Sequence, residues 1–308
     1  MIELRKIITI VMILYSAYQT SWAQQIGQYT QYFSNQLVIN PAFAGADEAL
    51  SLTLVHRSQW TGLDGAPTTQ TLTAHSLFKS NHVGLGATII NDKIGIHQNL
   101  TINTSYAYHL QVRPDAYFSL GLQVGLNHKQ SDFGSLAGHV GNSNDPSIAQ
   151  DNQSRTYPEL GAGFYYRDPR LHLGLSVPNM LSKKVEVTDS ISVELNKPQY
   201  FFYTRYRVPI AHNIKLQPGL LIKYLPGVPL SFDLHLAAIF NEVLLTGLSY
   251  RSFESVDLVV QAKLTPQLKA GYNYDYPIGK VGLLSNSSHE LMLNYVFKYS
   301  KYKIKRPR

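Results

Sequence analysis

Phe118-Ser119-Leu120-Gly121-Leu122-Gln123-Val124-Gly125-Leu126-Asn127 alternates without a break: each even position to 126 is apolar, and each odd position is Ser, Gly, Gln or Asn. A period of two belongs to an extended strand with one apolar face and one wet face. The same alternation recurs in stretches of about ten residues from roughly position 50 to position 299. A soluble sandwich also alternates, but its strands are usually shorter and their apolar faces share one core. Ten-residue strands tilted about 45° span a bilayer. The expected fold is all-β, an antiparallel transmembrane β-barrel.

Alternating segments fall near 49–60, 68–78, 83–91, 100–111, 115–128, 158–167, 170–177, 198–208, 213–225, 228–239, 242–251, 256–265, 267–276 and 289–299, about fourteen in all. An even number suits a single-chain bacterial barrel whose termini lie on one side. The connections sort by parity. Those after even-numbered strands are short, as at 79–82, 168–169, Asn241 and Pro266, and every long one (63–67, 129–157, 177–197, 277–288) follows an odd-numbered strand. Short periplasmic turns and longer extracellular loops are the pattern of an outer-membrane barrel. The 129–157 loop, rich in Asn, Ser, Asp and Gly, is polar punctuation within one domain.

The composition agrees. The chain has 308 residues, 44% hydrophobic but only 15% charged, with 21 Tyr suited to aromatic girdles at the barrel rims. Cysteine is absent, which excludes disulfides, thiolate metal sites, Cys nucleophiles and a lipidated N-terminal cysteine. Residues 1–23 read as an export signal: Arg5 and Lys6 precede an apolar run from Ile7 to Tyr15, and Ser21 and Ala23 are placed for cleavage before Gln24. The expected organisation is that signal, a 24–48 segment that is periplasmic or plugs the bore, a 49–299 barrel and a basic periplasmic tail at 300–308. The expected location is the cell outer membrane, in contact with its lipid.

Parity places Leu72, Ile102, Tyr106, Leu234, Leu258 and Leu293 outward. It places Arg57, Gln59, His75, Asn103, His109, His172, Arg205, Arg207, Lys215, Lys223, Asp233, His235, Asp257, Lys263, Lys269, Asp275 and Glu290 inward, where charge is tolerated, so the lumen is predicted polar and net basic. Gly84, Gly86, Gly121, Gly125, Gly161, Gly163, Gly174, Gly219, Gly247 and Gly271 share the inward parity. Glycine weakens a strand unless the sheet must curve or another backbone must come close. Both accounts stand at this point, the second with residues 24–47 as the natural occupant.

No enzyme, cofactor or metal is expected. Ser231, Asp233 and His235 share one face of one strand, but successive same-face residues lie about 7 Å apart, too far for a hydrogen-bonded triad. The inward histidines come from scattered strands with no ligand spacing, and Asn142, Asn144, Asp145 and Asp151 miss the register of a calcium loop.

The run from Tyr32 through Asn40-Pro41-Ala42-Phe43-Ala44-Gly45, followed by Arg57-Ser58-Gln59-Trp60, resembles the PorP/SprF family of Bacteroidota. That family carries N-P-A-x-A-G and then R-x-Q-W on the first strand. Val83-Gly84-Leu85-Gly86, Pro158-Glu159-Leu160-Gly161, Gly271-Tyr272-Asn273-Tyr274 and the strand from His289 to Tyr295 extend the similarity over nearly the whole mature chain. Phe33-Ser34-Asn35 stands where a Ser-Gln-Tyr-type run is usual. The resemblance implies a non-enzymatic outer-membrane component of the type IX secretion system, supporting secretion, surface attachment or gliding-motility adhesins. Its implied partners are type IX components or the C-terminal domain of a secreted adhesin, with no nucleic acid. The alternative from residue physics alone is a porin-like passive channel whose basic lumen favours anions.

Asn40, Pro41, Ala42, Gly45, Arg57, Gln59 and Trp60 are the candidate plug or docking residues. Asn40-Pro41 and Gly45 are also turn chemistry, and Trp60 also suits an interface anchor. Arg57 and Gln59, pointing inward, are placed to hold the plug segment. The last residues carry Lys298, Lys301, Lys303, Lys305, Arg306 and Arg308, a solvated end or a contact for anionic headgroups. Deleting 301–308 is expected to leave folding intact, read as unchanged heat-modifiable gel migration; blocked assembly would instead make the tail part of the folding signal.

Overall fold

A computed structural model describes residues 31–78, 82–134, 153–181, 183–188, 191–195, 197–252, 254–278, 282 and 287–297. The expected signal (1–23), residues 24–30, residues 135–152 with Asn142, Asn144, Asp145 and Asp151, and the basic tail lie outside these.

Three 3-10 turns, Gln31–Phe33, Gln36–Val38 and Pro41–Phe43, precede the strands. The first staves are β1 (Ser51–Ser58), β2 (Thr68–Leu77), β3 (Val83–Ile94), β4 (His97–Arg113), β5 (Ala116–Ser131), β6 (Gln153–Arg167) and β7 (Leu171–Val177). After a separate hairpin of β8 (Lys183–Thr188) and β9 (Ile191–Leu195) come β10 (Tyr200–Tyr206), β11 (Val208–Ala211) and β12 (Ile214–Tyr224). The wall is completed by β13 (Ser231–Phe240), β14 (Leu244–Arg251), β15 (Ser255–Lys263), β16 (Leu268–Pro277) and β17 (Ser288–Val296).

Each stave is antiparallel to its neighbours. The cylinder shuts where β1 meets β17, from Ser51↔Val296 to Ser58↔His289, and where β10 pairs with β7 on one side and β12 on the other. Since β10 and β11 both pair with β12, they make one stave, and the barrel has 14. Closure satisfies the backbone of every stave without an edge facing lipid, which is why sheets cross membranes only as barrels.

Three details depart from the strand bounds expected above. β4, β5 and β6 run to 17, 16 and 15 residues: β4 begins three residues before the expected 100–111 strand, and β5 and β6 extend into the predicted 129–157 loop. Their outward positions there are polar, such as Gln98, Gln130 and Thr156, so the apolar face ends where the strands leave the hydrocarbon while the ladder continues, as in Gln98↔Gln130 and His128↔Thr156. The predicted 177–197 connection contains the β8–β9 hairpin. The expected 198–208 strand breaks at Arg207, and a bulge follows at Pro209, which has no N–H to give the ladder.

Outward residues are exposed to the surroundings of the barrel, as with Leu122 at 64%. The buried apolar clusters lie inside the bore. One joins Tyr32, Phe33, Ile39, Ala42 and Ala46 to Tyr165, Phe201, Tyr203 and Leu221, and a second joins Leu37 and Ala44 to Ala107. Residues 31–46 therefore supply the apolar core that the wall packs against. On the periplasmic side, the β13–β14 turn uses positive φ at Asn241 (51°) and Glu242 (57°), the geometry whose twist suits a tight hairpin.

Leu122→Arg would place a cation near mid-bilayer on the lipid face. It is expected to destabilise the barrel by about 2–4 kcal/mol in a denaturant titration in liposomes.

Candidate functional site

The segment that precedes β1, residues 31–46, lies inside the bore and packs on its wall. Asn40 has extended backbone (φ −144°, ψ 110°), as the residue before a proline should, and Pro41 opens the last 3-10 turn. The Asn40 side chain works in both directions: Oδ1 accepts from the Ala42 N–H at 2.9 Å, and Nδ2 donates to the Phe164 carbonyl at 2.9 Å. One side chain thus caps the turn and fastens it to β6.

Wall glycines make room for this turn. A Cβ on Gly121 would lie 2.1 Å from the Ala42 nitrogen, and one on Gly84 would lie 1.9 Å from the Ala44 carbonyl oxygen. Gly163 and Gly174 similarly face Asn40, Gly86 faces Leu37 and Ala44, and Gly219 faces Phe33. Other inward glycines crowd the wall itself: Gly125 lies against Asn103, and Gly247 against Ala237. Close approach of the plug thus accounts for six of the inward glycines and tight strand packing for two, while Gly161 lies against Pro178 after β7. Gly45, at φ 81°, ends the turn where a side chain would be strained and would also meet Gly84.

Polar contacts fix the rest of the segment. Gln36 donates to the Tyr203 hydroxyl at 2.5 Å, Thr73 donates to Asn35 at 2.9 Å, and Ser176 donates to the Ile39 carbonyl at 2.6 Å. Arg205 donates to the Phe33 carbonyl at 3.1 Å, and Phe33 stacks on His235 with ring centroids 4.2 Å apart. His109 donates through Nε2 to the Ala44 carbonyl at 2.8 Å, and its Nδ1 accepts from Ser119 at 2.6 Å. The backbone N–H of Gly45 donates to His75. Anchors therefore come from β2, β4, β7 and β10, as well as β6.

The remaining candidates occupy the extracellular end of β1. Arg57 donates to Asp275 at 2.5 Å and to Glu290 at 3.1 Å, and both carboxylates are buried. Arg251 lies 3.5 Å from Asp257 and 3.7 Å from Asp275, and Lys223 lies 3.0 Å from Asp233. Arg57 thus joins an ionic network that spans β1 and β12–β17. The Gln59 N–H donates to the Pro67 carbonyl, and Trp60, at φ 50°, donates its N–H to Ser288. Asn40, Pro41, Ala42 and Gly45 are held by the β2–β7 side; Arg57, Gln59 and Trp60 sit at the opposite end of the bore. Asp233 and His235 are engaged with Lys223 and Phe33, so they do not form a relay with Ser231.

Sequence reading placed the network's acids inward but did not assemble them, and it left Arg251 out. The missing information is register, which sets Asp257 opposite Asp275, Asp233 opposite Arg251 and Arg57 opposite Glu290. Parity on adjacent strands was the available signal.

Beneath the plug lies a cavity of about 390 Å³, bounded by Phe33, Phe43, Arg205, Arg207, Lys263 and Lys269 among others and reaching the short turns at Val243 and Pro266. At its rim, a hydrogen bond from Lys215 holds the Glu242 carboxyl below the usual carboxylate range.

A closed antiparallel cylinder, apolar outside and filled within, defines an outer-membrane β-barrel. The solved structures it resembles are of that class. The CymD monoaromatic hydrocarbon channel aligns at TM-score 0.52 and 11% identity, over 91% of this chain and 95% of that one. The Ralstonia pickettii toluene transporter TbuX aligns at 0.51 and 11%, over 91% and 96%. A Pseudomonas aeruginosa FadL homologue aligns at 0.51 and 12%, over 84% and 93%. At these identities the likeness is one of fold. No curated protein sequence matches the chain. The family model of the type IX secretion system membrane protein PorP/SprF matches residues 21–295. The chain belongs to the PorP/SprF family and is an outer-membrane protein.

A cysteine pair at Ala44 and Gly86 tests this packing, because a Cβ on Gly86 would sit 3.2 Å from that of Ala44 and the chain has no other cysteine. The A44C/G86C protein is expected to form the disulfide on mild oxidation, read by maleimide protection. Adding Gly121→Val, which collides with Ala42, should cut the yield severalfold.

Proposed function

We propose that this barrel is a non-enzymatic accessory of type IX secretion, docking the machinery or the C-terminal domain of a secreted adhesin at the outer membrane and so supporting surface attachment, secretion or gliding motility. One observation carries this reading: the bore is occupied by the chain's own residues 31–46, pinned by hydrogen bonds from five staves and seated against wall glycines. A conduit needs an open path, whereas a docking platform needs only a rigid wall and loops. In this reading the Asn40–Gly45 motif stiffens the platform from within, the Arg57 network stiffens the extracellular rim, and partners meet the loops. Residues 1–23 direct export.

The second reading, a passive channel favouring anions, is supported by the cations around the cavity beneath the plug. Conductance separates the two. In a planar bilayer, the purified protein is expected to show no large steady open state. Copurification with the barrel from detergent-solubilised envelope is expected to recover a large secreted adhesin or type IX components, and in a strain lacking the gene the oxidised A44C/G86C protein, its plug locked, should restore surface attachment. A steady anion-selective current abolished by the same disulfide would favour the channel.

A further inference from the structure

The two halves of the bore treat charge differently. Toward the cell exterior, Arg57, Lys223 and Arg251 each have a carboxylate within ion-pair reach. In the cavity below the plug the cations are Arg205, Arg207, Lys263 and Lys269. None of these forms an ion pair among the described residues. Arg205 is committed to the Phe33 carbonyl and His172, and Arg207 donates to Gln217 at 3.1 Å. Among the described residues, the ammonium groups of Lys263 and Lys269 make neither a hydrogen bond nor an ion pair, although the Lys263 backbone N–H donates to the Val243 carbonyl. The two acids on the lining, Glu242 ion-paired with Lys215 and Asp47 3.5 Å from His75, offset these four cations only in part. Cations gathered in a recess focus a positive potential and favour an anionic occupant.

Apolar side chains line the cavity as well: Phe43 and Leu245 are half-buried there, beside the buried Ile239 and Val259, and a lone inorganic anion would leave the first two uncovered. The mouth lies between the β13–β14 and β15–β16 turns, at Val243 and Pro266, so it faces the periplasm and not the bilayer. The volume is in the range of pockets that enclose small ligands or a short stretch of chain, too small for a folded domain.

We propose that this cavity is a periplasmic binding site for an extended acidic and apolar peptide segment of a partner protein, its carboxylates meeting Lys263, Lys269 and Arg207 and its apolar side chains covering Phe43 and Leu245. The inner face of the barrel thereby offers a second point of attachment, distinct from the loops. The site stands whether or not the loops dock a secreted client, since the two surfaces lie on opposite sides of the plug.

The test uses the full-length protein in detergent with Val243→Cys at the mouth carrying an environment-sensitive dye; no native cysteine competes for the label. The probe is the peptide ELEL with a free C-terminus. Binding is expected to shift the dye emission, to weaken with salt, and to fall at least about tenfold in Lys263→Gln/Lys269→Gln. In Lys93→Gln, at the far end of β3, it should be unchanged. Heat-modifiable migration verifies that each variant is folded, and oxidised A44C/G86C, which keeps the plug seated, should bind ELEL like the parent. Equal binding of KLKL, an unchanged affinity in the folded double lysine variant, or competition by inorganic phosphate alone at equal concentration would overturn the assignment.

Discussion

Backbone amides and carbonyls facing acyl chains have no water to bond, so each stave must find both partners within the wall. Everything else follows from meeting that constraint with a closed ring. Closure forces the apolar side chains outward and collects glycine, amide and charge in the bore. An empty bore of that kind would hold water and ions; here the 31–46 segment fills it and creates a dry core between itself and Tyr165, Phe201, Tyr203 and Leu221. The usual arrangement of a soluble protein is inverted: the wall turns its apolar face outward, and the buried apolar core is shared between a segment that belongs to no strand and a few inward side chains of the staves.

The barrel was legible because its signal is repeated. Period-two alternation recurs in every stave, and the parity of loop lengths fixes the direction of the strands. Legibility failed where the cause of alternation stops. Above the hydrocarbon, β4 to β6 keep their ladder but lose the apolar face, so positions such as Gln98 and Thr156 read as loop. The plug was legible only as a possibility. Asn40-Pro41 and Gly45 announce a turn, and inward glycines announce either curvature or a close neighbour. Which glycine meets which plug atom depends on three-dimensional register, and so does the convergence of Arg57, Arg251, Asp257, Asp275 and Glu290. Parity alone could not pair them.

The segregation of charge gives the molecule a polarity that composition conceals. A net charge of +7 says only that cations are in excess. Toward the exterior, acids and bases neutralise one another in a buried network, where loss of one member strands the rest at a cost of roughly 3–5 kcal/mol. Below the plug two acids, Asp47 and Glu242, face four cations, so compensation is only partial. The first arrangement locks staves together, whereas the second leaves potential available for something else to answer.

The seam between β1 and β17 joins the first stave of the chain to the last, and the segment that fills the bore runs straight into β1. Topology thus imposes an order on assembly. The N-terminal segment must already be lying across the growing curved sheet when the final stave arrives, because afterwards the hydrogen-bonded ring leaves no lateral way in. Arg57, bonded across that seam to Glu290 and one stave further to Asp275, acts as the clasp. A barrel that closed too early would be hollow, with six glycines facing nothing.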